Sequence, residues 1–125
     1  MQKQLQDLSR LRQVLRRLLA ELERTVQVAF GRHPLVKGNV YELVRKCGKP
    51  SCACNRGKLH RSMVLSWSEQ GKSRLLSIPV HRVAELRQKS EQYLRFRRAR
   101  AQVSKISRQI VALLDRIEAL RQEEP

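Results

Sequence analysis

Cys47-Gly48-Lys49-Pro50-Ser51-Cys52-Ala53-Cys54-Asn55-Arg56-Gly57-Lys58-Leu59-His60 holds all three cysteines of the chain, with a histidine six positions after the last of them. Zinc takes four ligands at the corners of a tetrahedron, commonly thiolates and imidazole, and Cys47, Cys52, Cys54 and His60 supply such a set. Four residues separate Cys47 from Cys52, enough for a turn shaped by Gly48 and Pro50. One residue separates Cys52 from Cys54, which asks for bent backbone, and Gly57 lets the chain turn back to deliver His60. Backbone N–H groups in these turns are expected to donate to the sulfurs. Four filled positions leave none for a reacting water, so the expected zinc is structural. Three thiolates give the centre a net negative charge, which Lys46, Lys49, Arg56 and Lys58 offset. The alternatives are three reduced thiols in a small core, an iron–sulfur cluster or a nucleophilic cysteine. Against the first, these cysteines lie among Lys, Asn and Arg; against the last, no acid is close in sequence to orient a base.

Two different materials flank this stretch. Before it, Leu8, Leu11, Leu15, Leu18 and Leu22 recur at spacings of three and four, and Thr25 and Ala29 continue the series, which predicts a helix from about Lys3 to Ala29. Gly31 and Pro34 are expected to end it. After it, no Gly or Pro interrupts Val80 to Gln122, and Phe96, Ala99, Val103, Ile106, Ile110, Leu113, Ile117 and Leu120 keep the same alternation. Val83, Leu86, Tyr93 and Leu94 lie in a shifted register and are expected to pack on whatever the middle of the chain forms. There, Val40–Val44, Met63–Trp67 and Arg74–Ile78 read as three short strands, the last two joined by a four- or five-residue loop around Gly71. Pro79 suits the opening turn of the last helix.

The expected fold is therefore α+β and mostly helical. Long N- and C-terminal helices pair as an antiparallel coiled coil, because a narrow apolar stripe cannot stand alone in water. A small zinc-bound three-stranded β module lies between them. The corresponding segments are residues 1–30, the N-terminal coiled-coil helix; 31–79, the zinc-binding β module; and 80–125, a long basic C-terminal helix. Pairing of the stripes with a second chain, as a homodimer or with a coiled-coil protein partner, is the other way to cover them.

Composition agrees with narrow seams instead of a thick core: aromatics are 4% of 125 residues. Lys and Arg number 27 against 11 acids, a formal charge of +16. Such a charge density repels itself unless an anion relieves it. Between Glu42 and Glu69 there is no acid, and Arg45, Lys46, Lys49, Arg56, Lys58 and Arg61 surround the cysteines. Lys72 and Arg74 flank the hairpin, and Arg95, Arg97, Arg98, Arg100, Lys105 and Arg108 form an acid-free run on the last helix. Arginine predominates there, as two-pronged phosphate contact favours. These residues are the candidate nucleic-acid contacts, for DNA or structured RNA. A membrane surface or an acidic protein is the competing partner. No apolar run approaches the roughly 20 residues of a membrane span, and Arg10, Arg12, Arg16 and Arg17 interrupt any signal-peptide pattern. A cytoplasmic location is expected, and there close thiols serve as metal ligands more often than as disulfides.

Beside this reading stands a resemblance. Lys37-Gly38-Asn39-Val40-Tyr41-Glu42-Leu43, Cys47-Gly48-Lys49-Pro50-Ser51-Cys52-Ala53-Cys54, Arg56-Gly57, His60, Leu65-Ser66-Trp67, Gly71-Lys72 and Tyr93-Leu94-Arg95-Phe96-Arg97 together resemble a family of small uncharacterised bacterial proteins. Those proteins share a CGKPxCxC core with a following Gly and His, an LSW…GK hairpin and a YxxFR-like helix. The resemblance covers roughly residues 37–98 and departs after His60, where the family has Gly-Pro and aromatics and this chain has Arg61, Ser62 and Met63. It implies a bacterial source, a nucleoid-associated location as an option, and work beside a transposase or another mobile-element complex. It carries no established activity. An enzyme is disfavoured by the residues themselves, which show no phosphate-binding loop, few acids outside the helices and a fully liganded metal. The expected function is a zinc-binding, nucleic-acid-binding accessory protein with no small-molecule substrate; the competing one is a coiled-coil adaptor or homo-oligomeric scaffold.

Overall fold

Gln2–Val26 forms helix α1, followed by a single 3-10 turn over Gln27–Phe30, in a computed structural model that describes residues 1–125. The helix is expected of a segment without Gly or Pro whose leucines repeat every three or four positions. Gly31 ends it by going extended, with φ −61° and ψ 148°, so it does not act as the left-handed cap expected of a terminal glycine. Strands β1 (Asn39–Arg45), β2 (His60–Glu69) and β3 (Lys72–Ser77) follow, and then helix α2 (Val83–Arg121). The architecture is mostly helical α+β, with a three-stranded antiparallel sheet between two long helices in chain order.

Two units are distinguishable. One comprises Met1–Arg32 with Arg95–Pro125, the other His33–Leu94. In the first, α1 and the later part of α2 run antiparallel. Asp7, Arg10 and Leu11 share a groove with Arg116, Ala119 and Leu120, while Thr25, Val26 and Ala29 share another with Phe96, Ala99 and Val103. Leu11, Ile106 and Leu113 are its buried side chains, all three members of the predicted stripes. Midway, Gln102 Nε2 donates to Glu21 Oε1 at 3.0 Å.

In the second unit the sheet is a meander in the order β1-β2-β3. Its register runs from Asn39 opposite Ser66 to Arg45 opposite His60, and from Val64 opposite Ser77 to Glu69 opposite Lys72. The β2–β3 turn is tighter than the expected four or five residues. Gln70 and Gly71 alone make it, with φ of 51° and 78°. Two successive positive φ values give the backbone twist that suits a two-residue hairpin, so Ser68, Glu69, Lys72 and Ser73 are freed to pair. Ile78 lies past the end of β3, donates its N–H to Met63 O at 2.8 Å, and joins Leu65 and Leu86 in the core. Val36, Val40, Met63, Trp67 and Val83 pack against these three, so the shifted register of Val83 and Leu86 does serve the sheet.

Gly38 locks the connector before β1. Its φ is +132°, and a Cβ there would lie 2.6 Å from Ser66 O and 2.9 Å from Leu65 Cδ1, so only glycine fits. Its carbonyl accepts from the Ser90 hydroxyl of α2, the one buried polar residue, and Val36 N–H donates to Lys89 O at 3.2 Å. On the face away from Leu65, Val64 is 1% exposed between Tyr41 and Ser77. Tyr41 itself is 39% exposed. β3 is an edge strand, and Leu75 and Leu76 stay half exposed along it. Pro79 stays extended, with ψ 145°, and a 3-10 turn over Val80–Arg82 precedes α2, so α2 begins later than Val80. No helix is long and apolar enough to cross a membrane.

Candidate metal centre

Residues 46–59 are the loop of the β1–β2 hairpin, and the rung Arg45–His60 closes it. Two consecutive turns shape this loop. Cys52 N–H donates to Lys49 O at 3.1 Å across a turn containing Pro50, and Asn55 N–H donates to Cys52 O at 3.2 Å, opening a 3-10 turn over Ala53–Arg56. Proline's fixed φ suits the second position of such a turn. Gly57 then takes a left-handed conformation, φ 94°, and the chain reverses into β2. Gly48, φ 84°, does the same before the first turn. His60 is thus the first residue of a strand, which ties its ring to the sheet.

This folding gathers the four donors named from the sequence. The Sγ atoms of Cys47, Cys52 and Cys54 and a ring nitrogen of His60 all lie within 4.8 Å of one another. Cys47 Sγ and Cys54 Sγ are 3.7 Å apart, and Cys52 Sγ and His60 Nε2 3.2 Å. A tetrahedron with metal–sulfur bonds of about 2.3 Å has sulfur–sulfur edges of about 3.8 Å, so the first pair already stands at that spacing. No disulfide joins any two of them. Cys54 is fully buried, Cys52 half buried, and Cys47 and His60 reach the surface. The backbone N–H of Cys47 donates to Cys54 Sγ at 3.5 Å, the kind of donor that stabilises charge on a sulfur. The residues present fit a metal ion: three soft donors and an imidazole converge on one point. Three side chains from the loop and one from the start of β2 could bind it with no further ligand from the chain.

A family model described as "Domain of unknown function (DUF6788)" matches residues 5–88, the first helix, the sheet and the metal loop included. The chain belongs to this family. No curated protein and no solved structure matches it. In this DUF6788 chain, the matched residues begin in α1 and end just inside α2.

All fourteen basic residues singled out from the sequence are exposed. Eight belong to the sheet unit: Arg45, Lys46, Lys49, Arg56, Lys58 and Arg61 in or beside the metal loop, and Lys72 and Arg74 on β3. The remaining six, Arg95, Arg97, Arg98, Arg100, Lys105 and Arg108, belong to the helical unit. Two of the fourteen have carboxylate partners. Arg61 pairs with Glu42 at 2.9 Å and Arg74 with Glu69 at 3.8 Å. The other ion pairs of the chain join Glu85 to Arg82 and to Lys89.

Asn55 has a role that the sequence reading passed over. Its Nδ2 donates to Lys49 O at 2.8 Å and to Pro50 O at 3.2 Å, clamping the first turn of the loop, Lys49 to Cys52, from just past Cys54. An asparagine in a Gly- and Pro-punctuated loop, whose amide can stand in for backbone donors, was the available signal.

Proposed function

We propose that the DUF6788 chain is a small zinc-stabilised protein that binds nucleic acid as an accessory factor and carries out no catalysis of its own. The observation that carries this reading is the convergence of Cys47, Cys52, Cys54 and His60 at a hairpin end where Arg45, Lys46, Lys49, Arg56 and Lys58 have no acidic partner. Soft thiolates with imidazole in a four-donor set favour zinc, and a filled set makes it structural. The loop between β1 and β2 has one fully buried side chain, Cys54, so the ion supplies the fixed centre that apolar packing does not. The bases around it, held in one shape, then meet phosphates. The apolar seam between α1 and the later part of α2 is read as a short antiparallel coiled coil. Work beside a transposase or another mobile-element complex belongs to the same proposal and rests on the resemblance of residues 37–98 alone.

A second reading has its own observation. Leu5 and Leu19 on α1 and Val111 and Leu114 on α2 are exposed, which a coiled-coil adaptor or a homo-oligomer would cover.

The deciding experiment is purification of the chain without nuclease or chelator. One equivalent of zinc, with co-purified nucleic acid released by salt, is the expected result, since phosphate contacts weaken steeply as counterions are supplied. A metal-free, nucleic-acid-free protein that retains its sheet defeats the proposal, and a stable oligomer in that state would favour the adaptor.

A further inference from the structure

Within the helical unit, Ile106, Ile110 and Leu113 mark the side of α2 that packs, and Ile106 is wholly buried. At 3.6 residues per turn, Arg97, Ala101, Ser104 and Arg108 lie about 140–180° round the axis from Ile106, Arg98 and Lys105 lie about 80–100° from it, and all six are exposed. Arg98 and Lys105 line one flank of this face, Arg97 and Arg108 the other, and Ala101 forms the crest between them. The flanking pairs span roughly 10 Å and roughly 16 Å along the axis. No acid occurs between Glu91 and Asp115, and none of the four bases has a carboxylate partner. Arg108 Nη1 donates to Ser104 Oγ at 2.9 Å, which steadies one guanidinium against the helix.

Two physical facts bear on what such a face fits. Four unpaired cations in two rows match two rows of phosphates better than a flat anionic surface. A crest of one methyl group also lets the helix backbone come close to a surface lying between those rows. An α-helix is about 10–12 Å across, and the major groove of B-form DNA is about 12 Å wide with a phosphate wall on each side. The major groove of A-form RNA is too deep and narrow for side chains to enter.

We propose that this face of α2, centred on Ala101, seats in the major groove of double-stranded DNA, with Arg97, Arg98, Lys105 and Arg108 on the flanking phosphates. The proposal rests on the nucleic-acid reading above and sharpens it to one form of nucleic acid and one helix.

Fluorescence anisotropy of the full, metal-loaded chain on a labelled 20-base-pair DNA duplex, and on an RNA duplex of the same sequence, tests it. Tighter binding to the DNA duplex by about tenfold or more is expected. The variant R97Q/R98Q/K105Q/R108Q, which keeps good helix formers, is expected to lose about 100-fold in DNA affinity. The slope of log affinity against log salt should fall by about three to four, one for each lost phosphate contact. Ala101→Trp leaves the charge unaltered and is expected to cost about tenfold on DNA; a surface contact made by charge alone would be indifferent to it. Circular dichroism confirms that each variant keeps its helices. Equal affinity for the two duplexes, or an Ala101→Trp variant that binds DNA like the parent, overturns the groove assignment. If the fourfold variant binds with unchanged affinity and slope, and substitution of Lys46, Lys49, Arg56 and Lys58 then abolishes binding, the inference fails while the nucleic-acid reading stands. If the parent binds neither duplex nor single strands at low salt, both fail.

Discussion

The helical unit and the sheet unit solve the same problem, too few large apolar residues, in different ways. The helical unit repeats one contact: leucines and isoleucines every three or four positions, of which Leu11, Ile106 and Leu113 are fully covered. No single position there carries the whole unit. The sheet unit concentrates its order in a few places. Its core is Leu65, Ile78 and Leu86, its connector depends on Gly38, and its largest loop is arranged around four converging donors. Distributed packing should degrade gradually under substitution, and concentrated packing should fail at named residues.

Removal of the donor set should separate the two most sharply. Cys52→Ser, or a strong chelator, is expected to abolish metal binding and disorder the loop, since apparent binding energies for structural zinc are on the order of 10 kcal/mol. The single tryptophan, Trp67, packs on the sheet core and gives a fluorescence readout of that unit alone, while far-UV circular dichroism follows the helices. A change in the first with little in the second is the expected result; loss of both signals together would erase the distinction.

Ile106→Ala strikes the other unit where it is most buried. A cost of about 2–5 kcal/mol is expected, seen as a lower helical melting temperature with metal content intact. Gly38→Ala should cost about 2–3 kcal/mol, because the strained φ and the collision with the Ser66 carbonyl both act on backbone. Chemical denaturation followed at Trp67 measures it. Asn55→Ala removes two hydrogen bonds that clamp the loop. About 1 kcal/mol of stability and about tenfold in metal affinity should go with it, by competition against a chromophoric chelator.

The smallest expected effect is a pH dependence at the start of α2. The hydrogen bond from Lys89, then its charge, holds the Glu85 carboxyl below its usual 4.5, with Arg82 helping and burial opposing. A depressed carboxylate stabilises the fold above its ordinary range, and that contribution is lost as pH falls through the lowered value. Melting curves of Lys89→Gln and the parent should therefore differ slightly at neutral pH and converge in acid. Glu85 lies at the surface, so the difference should also shrink with salt.

What could be read from the residues follows from how local each signal is. The stripes of α1 and α2 repeat within single segments, so Leu11, Ile106 and Leu113 announced themselves. The four donors fall within fourteen positions and needed only their own spacing. Pairing between strands is a relation between distant segments, and neither Asn39–Arg45 nor His60–Glu69 states its register alone. The two-residue turn was missed because Gln70 carries a positive φ without being Gly, Asn or Asp. Leu75 and Leu76 look like core residues by type, yet β3 has a neighbour on one side only, and the edge leaves them half exposed.

All four metal donors sit on one hairpin turnaround, between the last residues of β1 and the first of β2. Closing so short a loop carries a small entropic penalty, and contacts close in sequence form early. During synthesis these side chains leave the ribosome before β3 or α2 exists, so the four donors can gather on a nascent chain and the later elements can assemble on a clasp already shaped. The same arrangement makes the clasp portable: a short hairpin peptide carrying these residues holds every donor the intact protein offers.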